Sequence, residues 1–284
     1  MGDIVCSSLR IKRFLTTLKL FLREFMLITL TTDFGYRDSF AGIMKGVISR
    51  INPDVQVIDL THGVPPQDVM AGALTLRHSV PYFGDGAIHV VVVDPGVGGS
   101  RRPLLIECAG NYFIGPDNGV LSLAVMNKPK LIIELTNSEY FLQPTGSTFH
   151  GRDIFAPAAA HLSRGVPIHA FGSRSSSFIE LHVPEVVRHP TGLMGEIIYI
   201  DGYGNLFTNI HEHDLTGLPR NDINITLGST RIQKLVSSYD SAESSKLAAV
   251  VNSWGMLEIA QLNGNAQQRC AAKVGDKVVV SSSF

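Results

Sequence analysis

The sequence predicts an α/β fold: an N-terminal domain built on a mainly parallel sheet, then a smaller C-terminal antiparallel β-barrel domain. Three observations predict it. Apolar strand-like runs alternate with helically spaced segments as far as about residue 165. One run, "AIHVVVVDPGVGG", holds four consecutive valines, as in a strand buried on both faces. After the polar stretch "SRSSSFIELHVPEVVRHPTG" helical periodicity fades, and short strands separated by Gly, Asn and Ser take over.

Taken in order, the first 25 residues stand apart. Arg10, Lys12, Arg13, Lys19 and Arg23 alternate with Leu9, Ile11, Phe14, Leu15, Leu18 and Phe21, as in a basic amphipathic helix. Two readings stay open for residues 1–25: a membrane-surface or targeting segment, or an N-terminal extension outside the fold. The segment lacks the long apolar run of a membrane span, and Cys6 stands where a myristoylation signal needs Ser or Thr.

Residues 26–184 are expected to form the α/β domain. Its strands are "LITLTTDF", "VQVIDLTHG", "AIHVVVVDPG", "PLLIEC" and "KLIIEL"; its helices cover Ser39 to Ile51 and Asp68 to Ser79. A further helix is expected over Ile154 to Leu162, with Asp153 as its N-cap and Pro157 in its first turn. Residues 185–284 supply the barrel strands "GEIIYID", "LFTNI", "INITL", "LAAVVN", "MLEIAQ" and "KVVVSS".

Composition narrows the function. The chain has 284 residues, 44% of them hydrophobic, and a formal net charge of -1, with no basic stripe after residue 25 to neutralise phosphates. A nucleic-acid partner and a stable membrane span are therefore not expected. Cys6, Cys108 and Cys270 are too widely spaced for a zinc knuckle or a disulfide framework, which fits a reducing, cytoplasmic setting.

In open parallel sheets, ligands bind beyond the carboxyl ends of the strands. Here those ends are polar: "TTDFG" brings Asp33, "DLTHG" brings Asp59 and His62, and "DPGVGGSRR" brings Asp94 and Arg101. An aspartate beside Gly or Pro also serves simply as a turn-former, and His62 reads best as a structural histidine. The glycine loop matches neither nucleotide-phosphate signature. In "STFHGRDIFAP", an N-cap role accounts for Asp153 but leaves His150 and Arg152 unexplained, and a loop histidine beside glycine suits water positioning or proton transfer. "IDGYGNLFTNI" holds Asp201, Asn205 and Phe207, which a Gly-rich hairpin turn also explains. "HEHD" places His211 and His213 together, but two histidines do not make a metal site.

In sequence order, "TLTTDFG", "DPGVGGSRR", "PDNG", "TFHGRDIFAP", "DGYGNLFTNI" and "NSWGMLEIA" resemble the S-adenosyl-L-methionine (SAM) hydrolases, or SAM hydroxide adenosyltransferases, relatives of the SAM-dependent fluorinase and chlorinase. The resemblance runs from Met26 nearly to Phe284. It implies attack of water on ribose C5′ of SAM, giving adenosine and L-methionine, with no cofactor and no metal. It also implies a homotrimer with active sites between the N-terminal domain of one subunit and the C-terminal domain of the next. The catalytic set it implies is Asp94, Arg101 and His150, and its binding set is Asp33 for the ribose hydroxyls, Asp201 for the methionine ammonium, Asn205 for the adenine edge, Phe207 for the base and Ser253 for the carboxylate. One departure is visible: the halogenases follow that serine with arginine, and this chain has Trp254.

Three alternatives stay open at this level. Halogenation competes, although the halogenases carry tyrosine where this chain has Asp94. A module that binds SAM or adenosine without turnover would need Asp33, Asp201 and Asn205 but not the set Asp94, Arg101 and His150. A metal-dependent hydrolase would use Asp33, Asp94 and His150 as ligands.

Overall fold

The structure, a computed structural model, describes residues 27–125, 129–218, 223–241 and 246–282. The amphipathic segment expected over residues 1–25 lies outside the described residues. The fold is α/β, and the chain divides into two compact units, one ending at Leu181 and one beginning at His182.

The first unit is built on seven strands: β1 (Leu27–Thr32), β2 (Gln56–Thr61), β3 (Ile88–Val92), β4 (Pro103–Cys108), β5 (Asn111–Pro116), β6 (Leu131–Leu135) and β7 (Gly172–Arg174). They run in the order β2-β1-β3-β5-β4-β6-β7. Strands β2, β1, β3 and β5 pair in parallel, whereas β4, β6 and β7 join antiparallel, so the sheet is mixed rather than mainly parallel. The cause is local. Ala109 and Gly110 both take positive φ, 48° and 81°, and such a two-residue turn folds β4 back on β5 as a hairpin. That places β5, "NYFIGP", between β3 and β4, a strand the sequence pattern did not single out because Gly115 and Pro116 interrupt it.

Strand β3 is buried along its whole length between β1 and β5, which accounts for its near-continuous apolar run. Helix α1 (Phe40–Ile51) and helix α3 (Ala156–Ser163) pack on each other and share a core with Ile28, Leu30, Val90 and Val92 through Met44, Ile48 and the alanines of α3. Helix α2 (Val69–Ser79) is held at its start by Asp68, whose carboxylate accepts from Ala71 N at 2.9 Å. It packs on β1 and β3 with residues outside that core, so the sheet centre is covered on both sides.

The second unit adds β8 (Val187–His189), β9 (Gly192–Ile200), β10 (Leu206–His211), β11 (Ile223–Leu227), β12 (Thr230–Ile232), β13 (Leu235–Val236), β14 (Leu247–Val251), β15 (Met256–Gln261), the short helix α4 (Ala266–Cys270) and β16 (Lys277–Ser282). Among the described residues, every pairing along β12-β11-β16-β9-β10-β15-β14 is antiparallel, and β13 joins β14 in parallel. Leu193, Ile197, Leu206, Ile210, Ile225, Leu257, Ile259 and Val278 fill its core from alternating strand positions.

Candidate active site

The parallel strands deliver polar residues at their carboxyl ends, and the first unit has a cavity of about 390 Å³ there, within the usual size range of a small-molecule site. Asp33 follows β1, Asp94 follows β3, and His150 lies in the loop before α3; all three line the cavity. The structure thus brings together three sequence-predicted residues from segments 61 and 56 residues apart, counting 33 to 94 and 94 to 150.

Arg101 joins two of them. Its Nε donates to Asp94 Oδ1 at 2.9 Å and its Nη2 donates to Asp94 Oδ2 at 2.5 Å, a two-pronged grip around the glycine loop. The same Nη2 donates to His150 Nδ1 at 2.6 Å. A guanidinium has no acceptor atom, so Nδ1 must carry the lone pair and the imidazole is the neutral tautomer with hydrogen on Nε2. Burial above all, and then the Arg101 charge, hold the His150 pKa below its ordinary value, while Asp94, Asp153 and the Gly146 backbone pull the other way. The Asp94 and Arg101 side chains are only 5% and 8% exposed, and the guanidinium carbon sits 5.5 Å from the Phe155 ring centre.

The two loops can approach because of Gly98, at φ +75°. A Cβ there would lie 2.2 Å from the carbonyl oxygen of Ser147, so the loop after β3 tolerates no side chain against the loop that carries His150. From below, Asp153 is fully buried; its Oδ2 accepts from Gly146 N at 2.8 Å and its Oδ1 accepts from Arg152 Nε at 2.6 Å. Asp153 is not the N-cap of α3, as expected from sequence. A single π-type turn over Gly151–Phe155 precedes that helix, and the carboxylate instead braces the His150 loop, with Arg152 as its counter-ion.

Asp33 is half-buried, and its Oδ2 accepts from Gln67 N at 2.8 Å; Gln67 reaches that position with φ 65°. Asp59 and His62 do not enter the cavity. Asp59 pairs with Lys45 at 2.8 Å and lies 3.1 Å from Nε2 of the fully buried His62, whose Nδ1 meets Thr32 Oγ1 at 2.8 Å. Burial pushes the Asp59 carboxyl up, but Lys45 and His62 outweigh it and leave the pKa below the usual value. That network holds the end of β1. Sequence reasoning missed the aromatic lining: Phe34, Phe40 and Phe149 flank the cavity, and two of them adjoin the predicted Asp33 and His150.

In the second unit, Asp201 closes the turn between β9 and β10. Its Oδ1 accepts from the backbone of Tyr203 and Asn205, each at 2.9 Å, and its Oδ2 accepts from Asn205 Nδ2 at 3.0 Å. Phe207 is buried beside Tyr199 and Trp254, at ring distances of 5.4 and 4.9 Å, and Ser253 is exposed in the turn before β15. Opposite Phe207 in the ladder stands the buried Glu258, which accepts from Tyr239 Oη at 2.7 Å and Asn252 Nδ2 at 3.1 Å. Its carboxyl is pushed up, mainly by burial. A charged residue inside the apolar run "MLEIAQ" was the signal that could have revealed it. A concavity of about 730 Å³ is lined by His211, Glu212 and His213, and the two histidine rings stack on each other at 5.4 Å.

Among the described residues, no group of three or more His, Cys, Asp or Glu side chains converges as metal ligands, and no helix is long and apolar enough to cross a membrane.

A cavity at the carboxyl ends of the parallel strands β1 and β3, whose wall holds a carboxylate and an imidazole joined by one guanidinium, defines the class: a small-molecule site with acid–base groups at its wall. Residues 28–172 match the SAM hydroxide adenosyltransferase N-terminal domain and residues 195–279 match the corresponding C-terminal domain. The chain belongs to the SAM hydroxide adenosyltransferase family. It is 35% identical over 263 residues to the (R)-S-adenosyl-L-methionine hydrolase of Salinispora tropica, covering 90% of this chain and 97% of that protein. It is 32% identical over 257 residues to the protein of the same name from Thermus thermophilus, covering 86% and 95%. The Nocardia brasiliensis fluorinase is 27% identical over 270 residues, covering 83% and 90%. Among solved structures, an uncharacterized conserved protein from Thermotoga maritima superposes with a TM-score of 0.85 at 34% identity, covering 90% of this chain and 100% of that one.

Proposed function

We propose that this protein is an enzyme that hydrolyses SAM by attack of water on ribose C5′, giving adenosine and L-methionine. The observation that carries the reading is Arg101 donating to both Asp94 and His150 at the wall of one cavity. Membership of the family supplies the substrate class, and the hydrolase relatives' names specify the R configuration at sulfur.

The chemistry balances without a cofactor. A water oxygen forms a bond to C5′, the C5′–S bond breaks with its electron pair going to sulfur, and methionine leaves as a neutral thioether. One water proton must be removed, and no acid has to protonate the leaving group. His150 is a poor acceptor, since Arg101 occupies its Nδ1 lone pair and Nε2 carries hydrogen. It therefore orients the water as a donor, and Asp94, with lone pairs beyond those facing Arg101, receives the proton. Arg101 steadies the carboxylate and offsets hydroxide-like charge as it develops.

Asp33 takes the ribose hydroxyls, and Asp201, Asn205, Phe207 and Ser253 take the ammonium, adenine edge, base face and carboxylate in the same proposal. The same proposal includes a homotrimer with active sites at subunit boundaries, closure of the second sheet as a barrel, and a cytoplasmic location, the last supported by the wide spacing of Cys6, Cys108 and Cys270. Halogenation is disfavoured because Asp94 would repel a halide approaching in a partly dry site.

Incubation of the purified protein with SAM, without halide and with chelator, tests the reading. Stoichiometric adenosine and methionine support it; intact SAM despite binding points to a binding protein.

A further inference from the structure

Phe34, Phe40 and Phe149 come from three separate segments, yet their rings meet pairwise at 5.6, 5.7 and 5.3 Å. All three line the cavity that also holds Asp33, Asp94 and His150. Core packing does not require all of this aromatic surface to be here: Phe40, at the first position of α1, remains 44% exposed. Among the described residues lining the cavity there are two carboxylates and no Lys or Arg. Arg101 is absent from the lining, and its charge is paired with Asp94.

The Phe149 ring already has the Arg152 guanidinium 5.4 Å from its centre, so it is the rings of Phe34 and Phe40, beside two carboxylates and with no Lys or Arg in the lining, that favour a positively charged ligand. The point matters for a sulfonium, which has no N–H to donate and so cannot be recognised through hydrogen bonds from its own charged centre. Ring quadrupoles and nearby carboxylates are the groups available to sense it.

We infer that Phe34 and Phe40, held in place by Phe149, recognise the positive charge of the substrate's sulfonium, so that the site prefers a sulfonium, or an ammonium placed at the same position, over the neutral thioether. The inference rests on the hydrolase reading for the identity of the substrate. It also gives the reaction a direction for release, because the charge held by the rings disappears when the C5′–S bond breaks.

The test uses two non-hydrolysed probes on the full chain by titration calorimetry. Sinefungin carries a protonatable amine in place of the methylsulfonium, and S-adenosylhomocysteine carries the neutral thioether. The wild type should prefer sinefungin. Phe40→Leu should reduce that preference about three- to ten-fold, Phe40→Tyr should retain it, and adenosine affinity should be unchanged in both. Equal weakening of both probes by Phe40→Leu, an unchanged ratio, a tyrosine variant no better than leucine, or a wild type with no preference would each overturn the inference. SAM turnover measured on the same preparations separates the two readings: turnover with an unchanged ratio sinks only the charge recognition, whereas absent turnover sinks the hydrolase reading while the probe ratio still decides this one.

Discussion

Arg101 Nη2 lies 2.6 Å from His150 Nδ1, and the same guanidinium grips Asp94, so one cation fixes both the orientation of the carboxylate and the tautomer of the imidazole. In the proposed mechanism this contact leaves Asp94 to accept the proton and His150 to donate to the water.

Replacing His150 by Ala should slow SAM hydrolysis about a hundred-fold or more while changing SAM affinity far less. Single-turnover rates alongside binding titrations check this, and equal losses in both would count against a role in chemistry.

The pH profile follows from the same contact. In the proposed mechanism the neutral imidazole is the working form, and burial with Arg101 keeps its pKa below 6.5, so activity should hold through neutral pH and fall only on the acid side of that value. Arg101→Gln removes one of the two depressing influences and should move the acid limb of kcat/KM to higher pH. A limb that stays in place would show that Arg101 does not control His150.

Asp94→Asn keeps the shape but removes the charge, leaving the 8% exposed guanidinium of Arg101 without its partner, a loss of about 3–5 kcal/mol when such a pair is buried. Turnover and Tm should both fall. Adding Arg101→Gln to Asp94→Asn should restore much of the Tm and none of the turnover. Recovery of turnover in the double variant would remove Asp94 as proton acceptor.

Asp33→Asn should weaken both SAM and adenosine by about ten-fold or more, the scale of a hydrogen bond to a charged group. The variant should also lose discrimination against 2′-deoxyadenosine. Retained discrimination would place the ribose elsewhere.

His89 offers a stability test away from the site. It is fully buried between Phe83 and Phe113, with Nδ1 at 2.8 Å from Thr29 Oγ1, and burial lowers its pKa to about 4. Because the folded pKa lies below the unfolded value of 6.5, the unfolded chain binds the extra proton first. Its full contribution is therefore present above pH 6.5 and is lost as pH falls towards 4, by roughly 3 kcal/mol in all. Thr29→Val with His89→Leu should flatten the fall in Tm over that window; an unchanged slope would contradict the assignment.

Much of the cavity was readable from residues because its polar groups lie at strand ends. Asp33 and Asp94 terminate apolar runs, and Arg101 lies in the loop directly after Asp94, so sequence distance and spatial distance agree. What escaped the sequence was long-range or conformational. Strand β5 was hidden by Gly115 and Pro116, and the mixed sheet followed from the turn at Ala109 and Gly110. Phe34, Phe40 and Phe149 have no shared spacing, since tertiary packing alone gathers them. The positive φ of Gln67 leaves no trace in composition, and Asp153 looked like a cap because helix propensity does not foresee a π-type turn.

The most direct measurement follows the origin of the new oxygen. SAM is incubated with the protein in oxygen-18 water, and the adenosine is analysed by mass spectrometry with fragmentation of the ribose. One oxygen-18 at O5′ in every adenosine formed, with unlabelled methionine, is the predicted result. Adenosine without label at O5′, or methionine carrying it in place of adenosine, would contradict attack of water at C5′ and with it the roles given to Asp94, Arg101 and His150.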